Sequence, residues 1–436
     1  MTLPRFLLAA LLWGCLLLPA IAQETLTLQN AIKLALENNY NLQISRNNIQ
    51  AAQVNDHPGA AGMLPTVNLQ SSTTGQVNNL SQKFTNGTEI KRAGVLAFNA
   101  QFAVNAEWTL FDGFRMYATR QRLKEEIGLQ TKLLNGQMLE TVRSVTEYYL
   151  EIVRQQQLLK NTDAMLSISN EQVQLFKMRF ESGLSAKMDY LQAQTDYNTQ
   201  LSQKNVLLNS LAQTKENLNV ILGRNAGIGF TVEDSTLLNA VWALPDTLNT
   251  DNNPNVQLTK TQIGISQLQY QEIEAGKYPQ VDLVGTYNFN YNRSQAGFSL
   301  FNLNTGPVAG INLTWNLFNG GTLKRALTIN QITRQSLQTG LEQTRQLLES
   351  QWVQARRNIA FFRQQVQLED QNLATASENM TISMERLRAG VANALELREA
   401  QRSYEQVLMR KTEALYQIKL AELALLYLQG NLLKDE

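Results

Sequence analysis

The sequence predicts an α+β protein in which two strands and a long helical hairpin occur twice. Three observations predict this fold class: an internal repeat, strand-like segments in which polar and apolar residues alternate, and helical segments far longer than those of ordinary domains. Together they predict hairpins with strands at one end and a glycine turn at the other.

The internal repeat is visible at two offsets. Met63–Leu69 resembles Lys277–Leu283 at an offset of 214, and Trp108–Gly113 resembles Trp315–Gly320 at an offset of 207. The seven-residue difference falls between about residues 70 and 100, in a polar segment, where loops tolerate changes of length. Two copies are too few for a solenoid, so a duplicated domain or a pseudo-symmetric ring element is the better interpretation.

The repeat defines an expected domain order. A glycine marks each hairpin turn because a helix that stops there needs left-handed dihedral angles. We expect a first repeat at 23–223 with strands near 66–77 and 97–111 and a turn at Gly183, a linker at 224–252, a second repeat at 253–430 with strands near 280–293 and 307–318 and a turn at Gly390, and a tail at 431–436.

Residues 1–22 have the features of a secretory signal peptide. Arg5 precedes an apolar run from Phe6 to Leu18, and Ala20-Ile21-Ala22 forms a cleavage site before Gln23. The alternative is a lipoprotein signal ending at Cys15. Cleavage after residue 22 would remove the only cysteine, and with it any disulfide or thiolate chemistry.

Composition excludes several classes of function. Loss of Arg5 leaves 37 basic and 37 acidic residues, so charge offers no argument for binding nucleic acid. One histidine, no phosphate-binding loop, no dinucleotide fingerprint and no HExxH motif argue against an enzyme. We therefore expect no catalytic residues, no metal and no cofactor.

The strand-like segments have two different faces. Between Phe98 and Leu110 the even positions are apolar and most odd positions are Asn, Gln, Thr or Glu, and the second copy repeats this pattern from Ala309 to Leu317. A soluble sandwich is one interpretation. The length of about ten residues and the aromatic residues at the segment ends favour a membrane strand with an interfacial girdle; these residues are Trp108, Phe111, Trp315 and Phe318.

Four strands are too few to close a membrane barrel. The smallest have about eight strands, and an open sheet in lipid would leave unsatisfied edges. No later segment is apolar for the 18 or so residues that a membrane helix needs. Several chains must then share one barrel; two would supply eight strands and three would supply twelve.

The helical segments contain heptad-like apolar stripes. One segment runs without proline from Phe114 to Glu181, which is about 100 Å of helix. The return path consists of two shorter segments, 42–64 and 184–222, whose summed length nearly matches it. A soluble antiparallel coiled coil would explain the helices but not the strand pairs.

The order of these motifs resembles the TolC family of outer membrane factors over essentially the whole chain after residue 22. The resemblance rests on Thr27–Asn39, on Leu64-Pro65 and Tyr278-Pro279 before the strands, on Trp-x-Leu-Phe-x-Gly at Trp108 and Trp315, and on the turn glycines. It implies a homotrimer in the outer membrane of a Gram-negative cell. Twelve strands would form a shared transmembrane β-barrel, continuous with a periplasmic α-barrel of helical hairpins.

The resemblance also implies a function and partners. The channel would work with a periplasmic adaptor, or membrane fusion protein, and an inner-membrane pump in tripartite efflux or type I secretion. Outer membrane lipid would be its surroundings, and it would bind no nucleic acid. The alternative is a periplasmic coiled-coil scaffold or adaptor that never enters the bilayer.

Two groups of site residues follow from the resemblance. The hairpin turns at Gly183-Leu184 and Gly390-Val391 would contact the adaptor. An acidic ring of Glu396, Glu399 and Asp189 would surround the entrance, where three copies of each would favour cations. The competing interpretation is that these acids are solvated charges beside the heptad stripes.

Overall fold

The computed structural model describes residues 24–232, 238, 240, 242–296, 299–391, 393–430 and 432. The predicted signal peptide, including Cys15, and all of the predicted tail except Leu432 lie outside the described residues. The chain divides into two compact units. We call Ile44–Asn135 with Pro254–Gln346 the sheet unit, and the remainder the helical unit.

The element order α–β–β–α–α occurs twice in the chain. In sequence order the elements are β1 Glu24–Leu26, α1 Leu28–Asn38, α2 Tyr40–Asn55, β2 Thr66–Lys83, β3 Glu89–Phe111, α3 Arg115–Glu181, α4 Lys187–Ile221, β4 Phe230–Val232, α5 Pro254–Glu274, β5 Gln280–Ser294, β6 Phe301–Thr314, α6 Thr322–Arg388 and α7 Ala394–Gln429. Short 3₁₀ turns at Thr250–Asn252 and Ala275–Lys277 flank α5.

The sheet unit contains a four-stranded antiparallel sheet in the order β2-β3-β5-β6. Its register brings Leu69, Val104, Tyr287 and Pro307 into one row across the four strands. Among the described residues, β2 and β6 each have one edge with no further strand. The sheet is therefore open on both sides within one chain.

The strand boundaries differ from those expected. β2 continues to Lys83 rather than 77, β3 begins at Glu89 rather than 97, and β6 covers Phe301–Thr314 rather than 307–318. The backbone ladder continues through polar residues that show no alternation, which is why the pattern ended too early. Trp315 and Phe318 consequently follow β6 and are not part of it.

A glycine with positive φ marks the corner between β3 and α3. Gly113 has a φ of 72°, and a Cβ there would lie 2.4 Å from the Ala275 carbonyl oxygen. Asp112 then accepts a hydrogen bond from the Met116 amide at 2.9 Å, at the start of α3. Gly320, which matches Gly113 in the repeat, has a φ of 62° and open space around it.

The helical unit has four long helical segments whose apolar stripes are buried. On α6, two series with seven-residue spacing lie on the buried or half-buried side. The series are Leu348, Ala355, Phe362, Glu369, Ala376, Ser383 and Trp352, Ile359, Val366, Leu373, Met380, Leu387. A central core forms around Tyr149, Ile152, Leu218 and Leu222, against which the parallel β1–β4 pair packs.

Polar contacts establish which helices are neighbours in this unit. Lys204 on α4 pairs with Asp163 on α3 at 2.7 Å. Arg154 on α3 reaches Glu413 on α7 at 3.2 Å. Arg410 on α7 pairs with Glu369 on α6 at 2.9 Å. At these positions, away from the hairpin turns at Gly183 and Gly390, the helices are therefore neighbours in the order α4–α3–α7–α6. Within the described ranges, none of the helices has the length and apolarity that a membrane crossing requires.

Candidate functional site

One face of the four-stranded sheet carries large apolar side chains that remain exposed. Leu69 is 75% exposed, Ile311 68% and Tyr287 57%. In a water-soluble sandwich this is the face that a second sheet would cover. A contiguous exposed apolar face of this kind marks a contact with lipid or with another protein.

The opposite face is built mainly from neutral amides and hydroxyls, with the carboxylates of Glu107 and Asp282 at the end nearest to the helices. One row across β3, β5 and β6 consists of Gln101, Asn290 and Asn304. In a neighbouring row the Thr286 hydroxyl donates to Asn105 at 3.0 Å. A face that can hydrogen-bond along its whole length suits contact with water.

The two predicted tryptophans make equivalent bonds in the two halves of the sheet unit. The Trp108 indole donates to the Met63 carbonyl at 3.0 Å, and the Trp315 indole donates to the Lys277 carbonyl at 3.1 Å. Both rings are about half exposed. Each indole is thus oriented by the segment just before a strand, with its apolar ring left free.

The other two predicted aromatic residues have different surroundings. Phe111 is half-buried, and its ring centroid lies 5.3 Å from that of Phe114. Phe318 is 86% exposed in the segment after β6. The four predicted residues therefore all lie at the end of the sheet nearest to α3 and α6.

A second aromatic group lies at the hairpin end of the sheet. Tyr291 lies between Phe98 and Phe301, with ring centroids 6.2 Å and 5.3 Å away. This group was not predicted, because the predicted aromatic residues are those where β3 and β6 approach the helices. Phe98 and Tyr291 each occupy an apolar position in an alternating strand pattern, and this could have indicated the group.

Each hairpin turn in the helical unit is closed by the same backbone pattern. Gly183 has a φ of 72°, and the Leu184 amide donates to the Arg179 carbonyl at 2.7 Å. Gly390 has a φ of 77°, and the Val391 amide donates to the Arg386 carbonyl at 3.0 Å. This is the Schellman ending of a helix, for which glycine is preferred.

The side chains at the turns point into solvent. Leu184 is 72% exposed and Val391 is 68% exposed. Directly beneath them, Phe176 and Leu387 are buried in a small cluster that includes all four helices. An apolar residue that a well-packed turn leaves exposed suits contact with a partner.

Arginines connect the two hairpins near the turns, and sequence analysis missed them. Arg179 of α3 donates to the Leu387 carbonyl of α6 at 2.9 Å. Arg388 of α6 forms an ion pair with Glu171 of α3. The sequence feature that could have indicated these contacts is the presence of Arg179, Arg386 and Arg388 in the last helical turns before Gly183 and Gly390.

The three predicted entrance acids have different surroundings. Glu396 lies 3.6 Å from Arg386, and Glu399 lies 3.7 Å from Arg402. Both pairs are exposed, so each is worth less than about 1 kcal/mol. Asp189 is half-buried in the first turn of α4, and within the described part of the chain no ion pair involves its carboxylate.

Two other carboxylates in the helical unit have pKa values that differ from the ordinary value. Burial raises the pKa of Glu405 on α7, and the nearby Arg402 opposes this only in part. Glu369 on α6 is 2% exposed, and its hydrogen bonds from Arg410 hold its pKa below the ordinary value, against the opposing effect of burial. In the described residues, no group of three or more His, Cys, Asp or Glu could hold a metal ion.

Comparison with protein families assigns the chain to a class. The outer membrane efflux protein family matches residues 31–224 and 248–431, which is well over half of the chain. The chain therefore belongs to the outer membrane efflux protein family. This is a family of transport channels.

A curated relative supports this membership along nearly the whole length. The chain is similar to the outer membrane efflux protein BepC of Brucella suis biovar 1 (strain 1330), with 21% identity over 457 residues. The alignment covers 98% of this chain and 90% of BepC.

Solved structures share the fold at low identity. The CmeC outer membrane channel of Campylobacter jejuni has a TM-score of 0.76 at 13% identity, covering 94% of this chain and 87% of CmeC. CusC has a TM-score of 0.74 at 17% identity, covering 92% of each chain. VceC of Vibrio cholerae has a TM-score of 0.70 at 17% identity, covering 92% and 96%.

These findings confirm the resemblance to TolC-family channels that the motifs predicted. They also decide between the two predicted classes, because the family is one of outer-membrane channels. The alternative of a periplasmic scaffold that never enters the bilayer is therefore set aside.

Proposed function

We propose that three copies of this chain form one outer-membrane channel that passes substrates from the periplasm to the exterior. A single observation carries the proposal: the four-stranded sheet is open at both edges, apolar and exposed on one face, and amide-rich on the other. A closed, shared sheet with lipid outside and water inside would account for all three features.

The strand directions support closure between copies. Because β2, β3, β5 and β6 alternate in direction, β6 of one copy can pair antiparallel with β2 of the next. Two copies would give eight strands and three would give twelve. The family resemblance favours three, the arrangement of TolC-type channels.

The spacing of the aromatic residues supports a membrane position for the sheet. Trp108 and Phe98 are ten residues apart on β3, which is about 33 Å along a strand. At the usual tilt of about 40°, this corresponds to an apolar band about 25 Å tall. Outer-membrane barrels have apolar bands of that height, bordered by aromatic residues.

The helices carry a second, unoccupied seam. Leu347, Phe361, Leu368 and Ile382 lie at multiples of seven residues from one another on α6, and each is about half exposed. On α4, Leu201 and Leu208 are exposed seven residues apart. Because α4 and α6 are the outermost helices in the neighbour order, α6 of one copy would pack against α4 of the next and extend the channel as a periplasmic helical barrel.

Partners would meet the channel at the hairpin turns. We assign contact with a periplasmic adaptor to Gly183-Leu184 and Gly390-Val391, supported by the exposure of the two apolar side chains. An inner-membrane pump would complete a tripartite efflux or type I secretion system.

A double variant, Leu184→Asp with Val391→Asp, should keep the channel assembled but lose co-purification of the adaptor.

The acids near the turns would give the entrance a preference for cations. Asp189 should contribute most, because Glu396 and Glu399 each have an arginine within 4 Å. In planar bilayers, Asp189→Asn should lower the cation preference, measured by reversal potential, more than Glu396→Gln or Glu399→Gln. Glu349→Gln, an exposed acid elsewhere on α6, is the control. Equal effects of all four variants would contradict an acidic ring at the entrance.

The first test of the assembly is native mass spectrometry of protein extracted from outer membranes in mild detergent. A three-chain particle is the expected result, because one chain cannot close its own sheet. A monomer that leaves the membrane without detergent would overturn the proposal.

A further inference from the structure

The two hairpins of the sheet unit are copies of one element with the same register. Thr66 pairs with Glu107 in the hairpin of β2 and β3, and Gln280 pairs with Thr314 in the hairpin of β5 and β6. Shifting the first pair by the two repeat offsets, 214 for its leading strand and 207 for its following strand, reproduces the second pair. We call these elements the first and second hairpins.

The joint between the two hairpins consists of a strand pairing and a corner contact. Strand β3 pairs with β5, and across this pairing the Thr286 hydroxyl donates to Asn105 at 3.0 Å. At the helical end, a Cβ added to Gly113 would lie 2.4 Å from the Ala275 carbonyl oxygen, so only glycine permits this approach. The corner after the first hairpin therefore packs against the segment that leads into the second hairpin.

Both halves of this corner contact occur a second time in the chain, but there they do not meet. The entry segments, which we define as 61–64 before β2 and 275–278 before β5, each accept an indole hydrogen bond from their own hairpin. Gly320 repeats Gly113 and also has a positive φ, yet among the described residues nothing lies within 4 Å of a Cβ built there. The same holds for Gly62 in the first entry segment. One chain therefore leaves an open corner at one edge of its sheet and an open entry segment at the other.

We propose that the second hairpin of one copy joins the first hairpin of the next copy through this same joint. The Gly320 corner receives the neighbour's entry segment 61–64, and β6 pairs with the neighbour's β2 in the register that the offsets transfer from β3 and β5. Asn312 then lies opposite the neighbour's Ser72. This inference rests on the proposed function and deepens it, because it names the surface and the register through which the copies close the sheet.

The side chains that meet in this register are complementary. Ser72 and Asn312 can form the hydroxyl-to-amide bond that Thr286 and Asn105 form inside the chain. Along the whole pairing, positions of the amide face lie opposite positions of the amide face, so each face of the sheet continues into the next copy. A shift by one residue would place one face beside the other, and the alternation of the strands opposes it.

The lengths of the two edge strands also agree with this register. The pairing reaches Gly306 opposite Asn78, where β2 has its irregularity. Beyond these residues β6 and β2 continue for equal lengths, to Phe301 and Lys83. Within one chain the outer end of the first hairpin extends past β5, and β6 of the adjoining copy supplies a strand for its β2 edge.

The helices beside the joint bring exposed apolar residues to the same place. Within the chain, Arg122 of α3 and Glu272 of α5 form an ion pair at 2.8 Å. The offsets put Ile329 of α6 at the position of Arg122, and Val54 of α2 four residues before the position of Glu272. Ile329 is 64% exposed, Ile332 one turn further is 58% exposed, and Val54 is 80% exposed. Packing against the neighbour removes these side chains from water, which favours the joint.

Cysteine crosslinking in outer membranes tests the register. Ser72→Cys combined with Asn312→Cys should form disulfides between copies on oxidation, seen as dimers and trimers in non-reducing electrophoresis. Thr74→Cys with Asn312→Cys should crosslink roughly tenfold less, because two residues along a strand span about 7 Å and Cα atoms further apart than that are not bridged. Asn105→Cys with Thr286→Cys is the matched control, because its disulfide forms inside one chain and leaves the mass unchanged.

A second test does not depend on cysteine chemistry. Ile332→Lys and Val54→Glu should each lower the fraction of three-chain particles in native mass spectrometry roughly fivefold, because each buries an unpaired charge at the joint. The double variant should restore the wild-type fraction. Both residues are exposed in the single chain, so neither change should alter its folding, which circular dichroism checks. A double variant as poor as the single variants would overturn the joint.

The two tests separate this inference from the proposed function. Three-chain particles that crosslink through Thr74→Cys or Gln70→Cys in place of Ser72→Cys would overturn the register and leave the channel intact. Three-chain particles with no crosslink at Ser72→Cys, while the control pair forms its disulfide, would do the same. A protein that never forms three-chain particles would overturn the channel and the joint together.

Discussion

The sheet unit and the helical unit both have strictly periodic apolar residues, but the two sets have opposite exposure. In the helical unit Leu218 and Tyr149 are essentially inaccessible, whereas in the sheet Leu69 and Val67 are 75% and 67% exposed. A periodic pattern therefore identifies an apolar face. It does not identify what covers that face.

The polar residues of the two regions differ in the same way. The helical unit pairs charges, as Arg154 does with Glu151 and Glu413. The polar face of the sheet uses amides in many of its rows instead, such as the row of Asn99, Asn292 and Asn302. Neutral amides can form hydrogen bonds with water on a face close to lipid, without the desolvation cost that a charge would carry there.

The largest expected effect is the difference in stability between truncating a buried leucine and truncating an exposed one. Leu218→Ala should lower the free energy of unfolding by about 2–5 kcal/mol, because it leaves a cavity in the helical core. Leu69→Ala should cost less than about 1 kcal/mol, since its side chain contacts the surroundings of the protein. Thermal denaturation of the purified protein in detergent measures both. A similar loss for the two variants would mean that the sheet face is buried.

A charge on the sheet tests what covers the apolar face. Phe102→Arg should cost about 2–4 kcal/mol if Phe102 faces the centre of a bilayer, and Leu313→Arg should cost about 1 kcal/mol or less, because Leu313 shares a row with Phe111 at the aromatic border. Gln101→Arg, next to Phe102 but on the amide face, should have little effect because it would face water. The measurement is the amount of protein in purified outer membranes. If both apolar-face variants insert normally, the assignment of the apolar face to lipid and of the amide face to water is wrong.

A smaller effect depends on pH and belongs to the helical unit. Glu369 accepts two hydrogen bonds from Arg410 at 2.9 and 3.1 Å, so Glu369→Gln should cost about 1.5–3 kcal/mol at pH 7. The pKa of Glu369 is lowered on folding from an ordinary value of 4.5. Its contribution is therefore complete above about pH 4.5 and disappears as the pH falls through the lowered pKa.

Denaturation midpoints of the wild type and Glu369→Gln, compared between pH 7 and pH 3, measure this contribution. The two midpoints should converge on acidification. Asn372→Ala is the control, because it removes a neutral donor to the same carboxylate without removing the charge. A difference between wild type and Glu369→Gln that persists at pH 3 would mean that the charge of Glu369 is not what matters.

Features that depend on local chemistry were readable from the sequence. The glycine turns at Gly183 and Gly390 follow from the need for positive φ where a long helix stops. The alternation around Phe102 and the heptad spacing of α6 follow from the periods of strand and helix. Two offsets were enough to align Trp108 with Trp315, and the two indoles make equivalent bonds.

Features that depend on distant residues were not readable. The hairpin of β2 and β3 continues through residues whose side chains do not alternate, because the ladder is formed by backbone groups of the opposite strand. The arginines beside Glu396 and Glu399 escaped notice because charges on long helices occur everywhere, and only packing selects which of them meet. Arg388 meets Glu171 across more than two hundred residues of sequence.

The periodicities, the ends of the helices and the duplication follow from the sequence alone, and these identify the elements and the family. The neighbour order of the helices, the register of the four strands and the extension of the β2–β3 hairpin past the rest of the sheet emerge only when the chain is folded. The physical reason is that periodicity is set by bond geometry within a few residues. Register and packing depend on which surfaces of one chain match best, and that choice involves residues hundreds of positions apart.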